Sequence, residues 1–276
     1  MTEDEIILNR VADGVSLITF NRPDRLNAWS PAMSERYFDL LDGAADDPDV
    51  RVVVVTGNGR GFCAGMDMKV LQTVGTTTPR SDPRARKALY TRHIPKPVVA
   101  AVNGACVGVG LVLACAADIR FAVPTAKMSA MFTRRGLPAE DGLSWLLPRL
   151  VGVPRAMELL LSGRIFTGEE AYAYGLVHEL LPPERLLERA LAYASDLATN
   201  CAPISMAAVK RQVYDDLDRD VEAALRIARD LRDEAVAAPD FAEGVASFLD
   251  KRPPRFAPLP PRTPTGGAAH PAEAGR

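Results

Sequence analysis

Apolar and polar positions change rhythm several times along this chain, and each rhythm predicts an element. Ile6-Ile7-Leu8 and Val15-Ser16-Leu17-Ile18-Thr19-Phe20 flank Ala12-Asp13-Gly14. Two β-rich runs about an Asp-Gly predict a hairpin. Ser30-Pro31 supplies a helix N-cap with proline in the first turn. Met33, Tyr37, Leu40, Leu41 and Ala44 then keep helical spacing on one face until Asp46-Asp47-Pro48 stops them. Val50–Thr56 is an unbroken β-branched run, the pattern of a strand covered on both faces. Val98–Val102 and Ile119–Ala122 are further strands. Strands alternating with helices imply crossovers and a largely parallel sheet.

The rhythm becomes helical toward the end. Leu143–Leu150 and Ala156–Leu161 are short apolar helices, and Thr167-Gly168-Glu169-Glu170 is a capping box. Gly175-Leu176-Val177 reads as a short strand or turn. Helices are predicted at Arg185–Thr199, Ile204–Leu217, Val221–Ala237 and Phe241–Leu249. Val221, Ala224, Leu225, Ala228 and Leu231 form an apolar stripe fit to cover the core or to meet another subunit. Thr73–Asp82 is polar and reads as a loop, and the stretch near Arg84–Arg92 looks helical. The expected organisation is a core over residues 1–200, a helical region over 201–256 and a disordered Pro/Gly/Ala-rich tail over 257–276.

Composition narrows the function classes. The chain has 276 residues, 47% hydrophobic and 25% charged, with net charge −2. That balance offers no basic field for nucleic acid or anionic membrane. No apolar run approaches the roughly 18 residues that span a bilayer. Cys63, Cys106, Cys115 and Cys201 form no CxxC pair and read as free thiols in a reducing compartment. With an acidic N-terminus unlike a signal peptide, a cytoplasmic location is expected. His93, His178 and His270 are scattered, so no metal site is expected.

The candidate chemistry centres on Val98–Asp118, VVAAVNGACVGVGLVLACAAD. A strand feeds a Gly-rich turn and then a small-residue apolar helix. Backbone N–H groups at such a helix start suit a developing negative charge. The run carries no acid or base before Asp118, so a proton-transfer group must come from elsewhere.

NRPDRLNAW (Asn21–Trp29), GNGRGFCAGMDMK (Gly57–Lys69) and the Val98–Asp118 stretch with its extension DIRFA together resemble the crotonase, or enoyl-CoA hydratase/isomerase, superfamily. GLVHELLP (Gly175–Pro182) and FLDKRPPRF (Phe248–Phe256) fit the same order. The resemblance implies an α/β crotonase fold of repeated ββα units in a superhelical core, with C-terminal helices for trimerisation. It also implies an acyl-CoA thioester substrate, with coenzyme A entering only as part of that substrate and no metal, and a homotrimer or dimer of trimers. The family stabilises an enolate with two backbone N–H groups, which correspond here to Met66 and Val109. Residues matching Asp24, Arg25, Leu26, Ala64, Asp67 and Lys251 are then expected along the coenzyme A path. Arg25 reads equally as a phosphate partner or a solvated surface residue.

The proton-transfer residues depart from the hydratase pattern. The two glutamate positions of a family hydratase correspond to Val112 and Phe132, neither of which carries a proton. A nearby segment, Gly136-Leu137-Pro138-Ala139-Glu140-Asp141, resembles the single-carboxylate isomerases, and Glu140 is the residue that aligns. An apolar setting from Phe132 and Trp145 would raise its pKa. Three readings of the pair stay open: Glu140 catalytic, Asp141 catalytic, or both capping the helix that starts near Gly142. The leading expectation is an enoyl-CoA isomerase. The rivals are a hydratase using Glu140 and Asp141, a C–C or C–halogen cleaving enzyme, and a catalytically silent CoA-binding subunit. His93 reads as a surface residue or a neighbour of the acyl pocket.

Overall fold

The computed structural model describes residues 5–73 and 88–262. The loop expected over Thr73–Asp82 lies outside them except for Thr73, which ends a helix, and most of the helical stretch near Arg84 and the tail beyond 262 lie outside them too.

The predicted hairpin is β1 (Ile6–Ala12) and β2 (Gly14–Phe20), paired antiparallel. Helix α1 (Pro31–Asp46) starts where the Ser30 hydroxyl accepts the Met33 N–H at 3.1 Å, and its predicted apolar face is buried. Strand β3 (Val50–Gly57) is buried at every position except Arg51. Then come β4 (Gly61–Cys63), α2 (Met68–Thr73), β5 (Val98–Val102), β6 (Ala105–Val107), α3 (Val109–Ala116), β7 (Ile119–Ala122) and β8 (Lys127–Ser129). The chain continues through α4 (Leu143–Val151), α5 (Val153–Ser162), β9 (Phe166–Thr167), α6 (Gly168–Ala173) and β10 (Glu179–Leu180). It finishes with α7 (Pro183–Asn200), α8 (Pro203–Asp216), α9 (Val221–Ala237) and α10 (Pro239–Leu249).

These strands form two sheets, one in the order β1-β2-β3-β5-β7-β10 and a smaller one in the order β4-β6-β8-β9. From β2 onward the larger sheet is parallel, as expected. Each of β3, β5 and β7 leaves the large sheet, adds a short strand to the small one and continues toward a helix. The short strands β4, β6 and β8 escape periodicity analysis because three residues carry no alternation. The strand near Gly175 lies slightly later, at Glu179–Leu180, since Gly175 turns with φ 77°.

Helix α7 packs across β2, β3, β5 and β7. Its buried positions are Leu186, Ala190, Ala194 and Ala198, a small-residue stripe that brings the helix close to the sheet. Helix α8 is tied down by charge. The Asp118 carboxylate accepts from Lys210 at 2.7 Å, Tyr214 at 3.2 Å and the Val98 N–H at 2.7 Å. The Arg120 guanidinium is buried and donates to the carbonyls of Leu176 and Cys115 at 2.7 and 3.2 Å, with Ala117 a further acceptor. It thereby satisfies carbonyls that the end of α3 leaves unpaired. No residue of α9 is buried, and Val221 and Leu225 of the predicted stripe are exposed. Among the described residues no helix is long and apolar enough to cross a membrane.

The expected disordered tail begins differently. Residues 257–262 run back over α1: Leu259 is buried and Arg262 is ion-paired with Asp42 and Asp46. A Pro-rich composition lowers helix and sheet propensity, but it does not stop an extended segment from docking through one apolar and one charged residue.

Candidate functional site

Two chain crossings from the large to the small sheet meet at one place. On one arm, Trp29 N–H donates to the Gly65 carbonyl at 2.7 Å and Asp67 N–H donates to the Trp29 carbonyl at 2.9 Å. This is a one-residue parallel bridge between Trp29 and Met66. In such a bridge the flanking residues make the bonds, so the Met66 N–H points to the other side. Gly65 has φ 100°, a conformation that suits only glycine, and it turns the chain so that Met66 presents its amide outward.

The other arm is the start of α3. The Gly108 N–H is anchored to the Ser129 carbonyl at 2.9 Å, and the first intrahelical bond runs from Val112 N–H to the Gly108 carbonyl. The amides of Val109, Gly110 and Leu111 therefore precede the helix ladder and carry its positive end. Gly108 is the N-cap with φ 54° and no side chain to consume them. A Cβ on Gly108 would lie 3.9 Å from the Gly65 Cα, so the two arms meet backbone to backbone. A Cβ on Gly110 would lie 2.1 Å from the Cys63 carbonyl oxygen, which fixes how closely α3 approaches β4. The arrangement gives two outward amides, Met66 and Val109, on facing loops. Such a pair can stabilise an oxyanion.

The positions of the hydratase acids are occupied by apolar bulk. Val112 is fully buried in α3, and Phe132 is 8% exposed. Glu140 and Asp141 sit in the loop before α4, with Glu140 exposed and Asp141 half-buried. The apolar enclosure expected around Glu140 is thus not supplied by Phe132 and Trp145. Trp145 instead faces cations, with the Arg149 and Arg92 guanidinium carbons 4.1 and 5.5 Å from its ring centroid. Nor does Asp141 cap α4 with its side chain. It adopts φ 51°, and Gly142, φ 80°, is the N-cap without a side-chain bond. Two successive left-handed residues fold this loop, and a Cβ on Gly142 would lie 2.2 Å from Leu89 Cδ1. The loop therefore leans on the 3-10 turn Ala88–His93.

Most of the residues expected along the coenzyme A path are neighbours. Ala64 N–H donates to the Leu26 carbonyl at 3.0 Å, joining the 24–26 turn to the Gly65 loop. Asp67 accepts from Lys69 N–H at 3.0 Å, Arg22 at 2.9 Å and Arg25 at 3.2 Å. The Lys69 amide and these guanidinium groups hold its carboxyl below the usual range. Its side chain is a clasp between loops. Asp24 is well exposed beside Arg25. Lys251 lies just past α10 with φ 52°, and among the described residues it has no hydrogen bond or ion pair to these loops. It is the one expected contact that the fold of a single chain does not gather with the others.

Two residues matter that motif reading undervalued. Asn27 is fully buried; its amide accepts the Arg22 N–H at 2.8 Å and donates to the carbonyls of Asn58 and Gly61 at 3.0 and 2.7 Å. Asn103 donates to the carbonyls of Gly57 and Gly59 at 2.8 and 2.9 Å. Both lie within the recognised motifs, yet nothing in the local pattern shows that their amides tie separate loops. Elsewhere, burial pushes the Cys63 thiol up to about 12, which removes it as a nucleophile. His93 is exposed beside Tyr90 and Arg92. Among the described residues no group of His, Cys, Asp or Glu side chains is arranged to hold a metal ion.

Residues 10–258 match the family described as Enoyl-CoA hydratase/isomerase. The 1,2-epoxyphenylacetyl-CoA isomerase of Escherichia coli K12 is 36% identical over 259 residues, covering 91% of this chain and 98% of its own. The enoyl-CoA hydratase ACTT3 of Alternaria alternata is 35% identical over 248 residues, covering 89% of this chain and 83% of its own. Among solved structures, the enoyl-CoA hydratase of Mycobacterium tuberculosis H37Rv superposes with a TM-score of 0.84 at 30% identity, covering 92% of this chain and 99% of that one. Paired loop amides, two sheets built by repeated crossings, and a match spanning nearly the whole described chain lead to one assignment: this protein belongs to the enoyl-CoA hydratase/isomerase family and has the crotonase fold.

Proposed function

We propose that this protein moves a double bond in an unsaturated acyl-CoA through an enolate, with Glu140 as the acid and base. The thioester oxygen would sit between the Met66 and Val109 amides, and the coenzyme A moiety would run past Ala64–Asp67 and the Asp24–Leu26 turn. Glu140 would take a proton from the α carbon and return it two carbons further along. A bound acyl chain would then provide the apolar cover that the loop lacks by itself, and so raise the carboxyl pKa. The observation that carries this reading is the pair of outward amides beside Val112 and Phe132. Two outward amides lie where the oxyanion donors are expected, while the side chains at both expected hydratase acid positions are hydrocarbon.

Hydration is the second reading, and the names of several relatives favour it. It would use Glu140 and Asp141 to activate water. Incubation with a 3-enoyl-CoA and, separately, a 2-enoyl-CoA distinguishes the two. Conversion of 3-enoyl to 2-enoyl thioester at unchanged mass supports isomerisation. Gain of the mass of water on the 2-enoyl substrate overturns it in favour of hydration. Glu140→Gln should abolish turnover while CoA binding survives, and a fully active variant removes Glu140 from the mechanism.

The same reading extends to assembly as a homotrimer. A cleft of about 1230 Å³ opens between α8, α9, α10 and the Ile94-Pro95 segment. Phe248 and Leu249 at the end of α10 are 83% and 72% exposed. Surfaces this apolar are suited to burial against other copies of the chain. Light scattering across micromolar concentrations tests this, and a monomer throughout would refute it.

A further inference from the structure

The chain after α10 is built as a strap. Arg252 forks onto Glu243 at 2.6 and 2.9 Å, and the Arg255 N–H donates to the same carboxylate at 2.6 Å. The Phe256 carbonyl accepts from Arg51 at 2.8 Å at the start of β3. Leu259 is buried, and Arg262, the last described residue, lies beside α1.

Arg262 makes an unusually complete set of bonds for a residue so far along a Pro-rich segment. Its Nε and Nη2 fork onto Asp46 at 2.7 and 2.9 Å, and Nη2 also donates to Asp42 at 2.9 Å. Its backbone N–H donates to Asp46 at 3.2 Å, and Nη1 reaches the Tyr90 hydroxyl at 3.4 Å. Tyr90 in turn donates to Asp42 at 2.6 Å and packs edge-on to Phe38, with ring centroids 5.9 Å apart. Bidentate charged pairs of this kind are among the stronger side-chain contacts and fix orientation as well as distance.

Tyr90 belongs to the turn Ala88–His93, whose next-door residue Leu89 fills the space in front of Gly142. Helix α3, which begins with the Val109 amide, packs against the same turn. A continuous run of contacts therefore joins Arg262 to Asp42 and Tyr90, then Leu89, then the loop that carries Glu140.

We infer that the strap, through Arg262, holds the Ala88–His93 turn in place and so positions the Glu140 loop over the paired amides. Arg262 is then a positioning residue for the proton transfer. This inference rests on the proposed role of Glu140, but the coupling of the strap to the turn stands apart from it.

Hydrogen exchange on the full chain separates the two. In Arg262→Gln, amides of 88–93 and of 140–143 exchange roughly tenfold faster or more, as expected when a charged fork is lost at a locally opening segment. Amides of β3 and β5 keep their wild-type rates. Tyr90→Phe reproduces the effect in part, and Arg185→Gln, which removes an exposed ion pair on α7, does not. Unchanged exchange at 88–93 overturns the inference, as does a uniform rise that includes the strands, which would mark a merely structural contact. In the enoyl-CoA assay, Arg262→Gln lowers kcat several-fold with unchanged affinity for free coenzyme A. Loosened amides with wild-type kcat would overturn the positioning role. Loosened amides in a protein whose parent turns over no enoyl-CoA would instead sink the proposed reaction and leave the strap coupling standing.

Discussion

Gly110→Ala is the sharpest test of the paired-amide site. The added Cβ would fall 2.1 Å from the Cys63 carbonyl oxygen, 2.9 Å from its carbon and 3.0 Å from the Cys63 Cβ. Ordinary packing requires at least about 3 Å, so α3 and β4 must part by about 1 Å; the two shortest of the three contacts are backbone, and neither can swing away. Cys63 leads through Ala64 and Gly65 into Met66, so the displacement changes the spacing of the two donors directly. A hydrogen bond stretched by that amount is lost. Loss of one oxyanion donor costs about a hundredfold to a thousandfold in kcat. The same overpacking lowers stability by about 1–3 kcal/mol. Three measurements read the variant: kcat on an enoyl-CoA, affinity for free coenzyme A, and the urea midpoint. The expected outcome is a kcat loss of about two orders of magnitude with coenzyme A affinity retained. A 3-oxoacyl-CoA, which enolises readily, should lose more affinity than coenzyme A itself. Gly43→Ala serves as the control. Gly43 lies in α1 with nothing within 4 Å of an added Cβ, so this change should raise stability by about 0.5–1 kcal/mol and leave kcat alone. If Gly110→Ala keeps kcat within threefold of wild type, the charge site is not formed by these two backbones.

Two further outcomes follow from buried charge. Lys210→Met leaves the partly buried Asp118 carboxylate with only its neutral hydrogen-bond partners and should destabilise the fold by about 3 kcal/mol, read by urea unfolding; adding Asp118→Asn should recover part of that loss. His178 lies at the surface, but its Nδ1 accepts the Arg120 N–H at 3.1 Å, and partial desolvation of the ring together with the nearby Arg120 charge lowers its pKa. A histidine harder to protonate when folded binds its proton preferentially in the unfolded state. Stability therefore falls as pH drops below about 6.5, the free imidazole value. His178→Asn keeps an acceptor at the Nδ1 position and should flatten that part of the stability–pH curve, and an unchanged slope would assign the acid sensitivity elsewhere.

The sequence by itself determined the elements whose causes are local. Ser30-Pro31 starts α1, Thr167–Glu170 forms the capping box of α6, and the β-branched run of β3 becomes a strand buried at every position except Arg51. It also marked the glycines at Gly65 and Gly108, because positive φ and close backbone approach exclude most other residues. The shift from alternating to helical periodicity placed the C-terminal helices within a few residues.

What the sequence left undecided depends on residues far apart in the chain. Asp118 and Lys210 are 92 positions apart, so neither shows in a linear pattern that the other will neutralise it. Asp67 reads as a ligand contact, yet its carboxylate becomes a clasp because the fold brings Arg22 and Arg25 against it. Asp141 has the residue type of a helix cap, but two consecutive left-handed residues turn it away from that task. The tail is Pro-rich, and only the presence of Asp42, Asp46 and Tyr90 on one surface gives Arg262 somewhere to bind. The two facing amides show the division most clearly. Their chemistry is backbone chemistry, common to every residue except proline, so their sequence trace is only the glycines that let the chains approach. Tertiary structure decided, among the described residues, that the bridge to Trp29 turns the Met66 amide outward and that Val109 opens α3 ahead of its hydrogen-bond ladder.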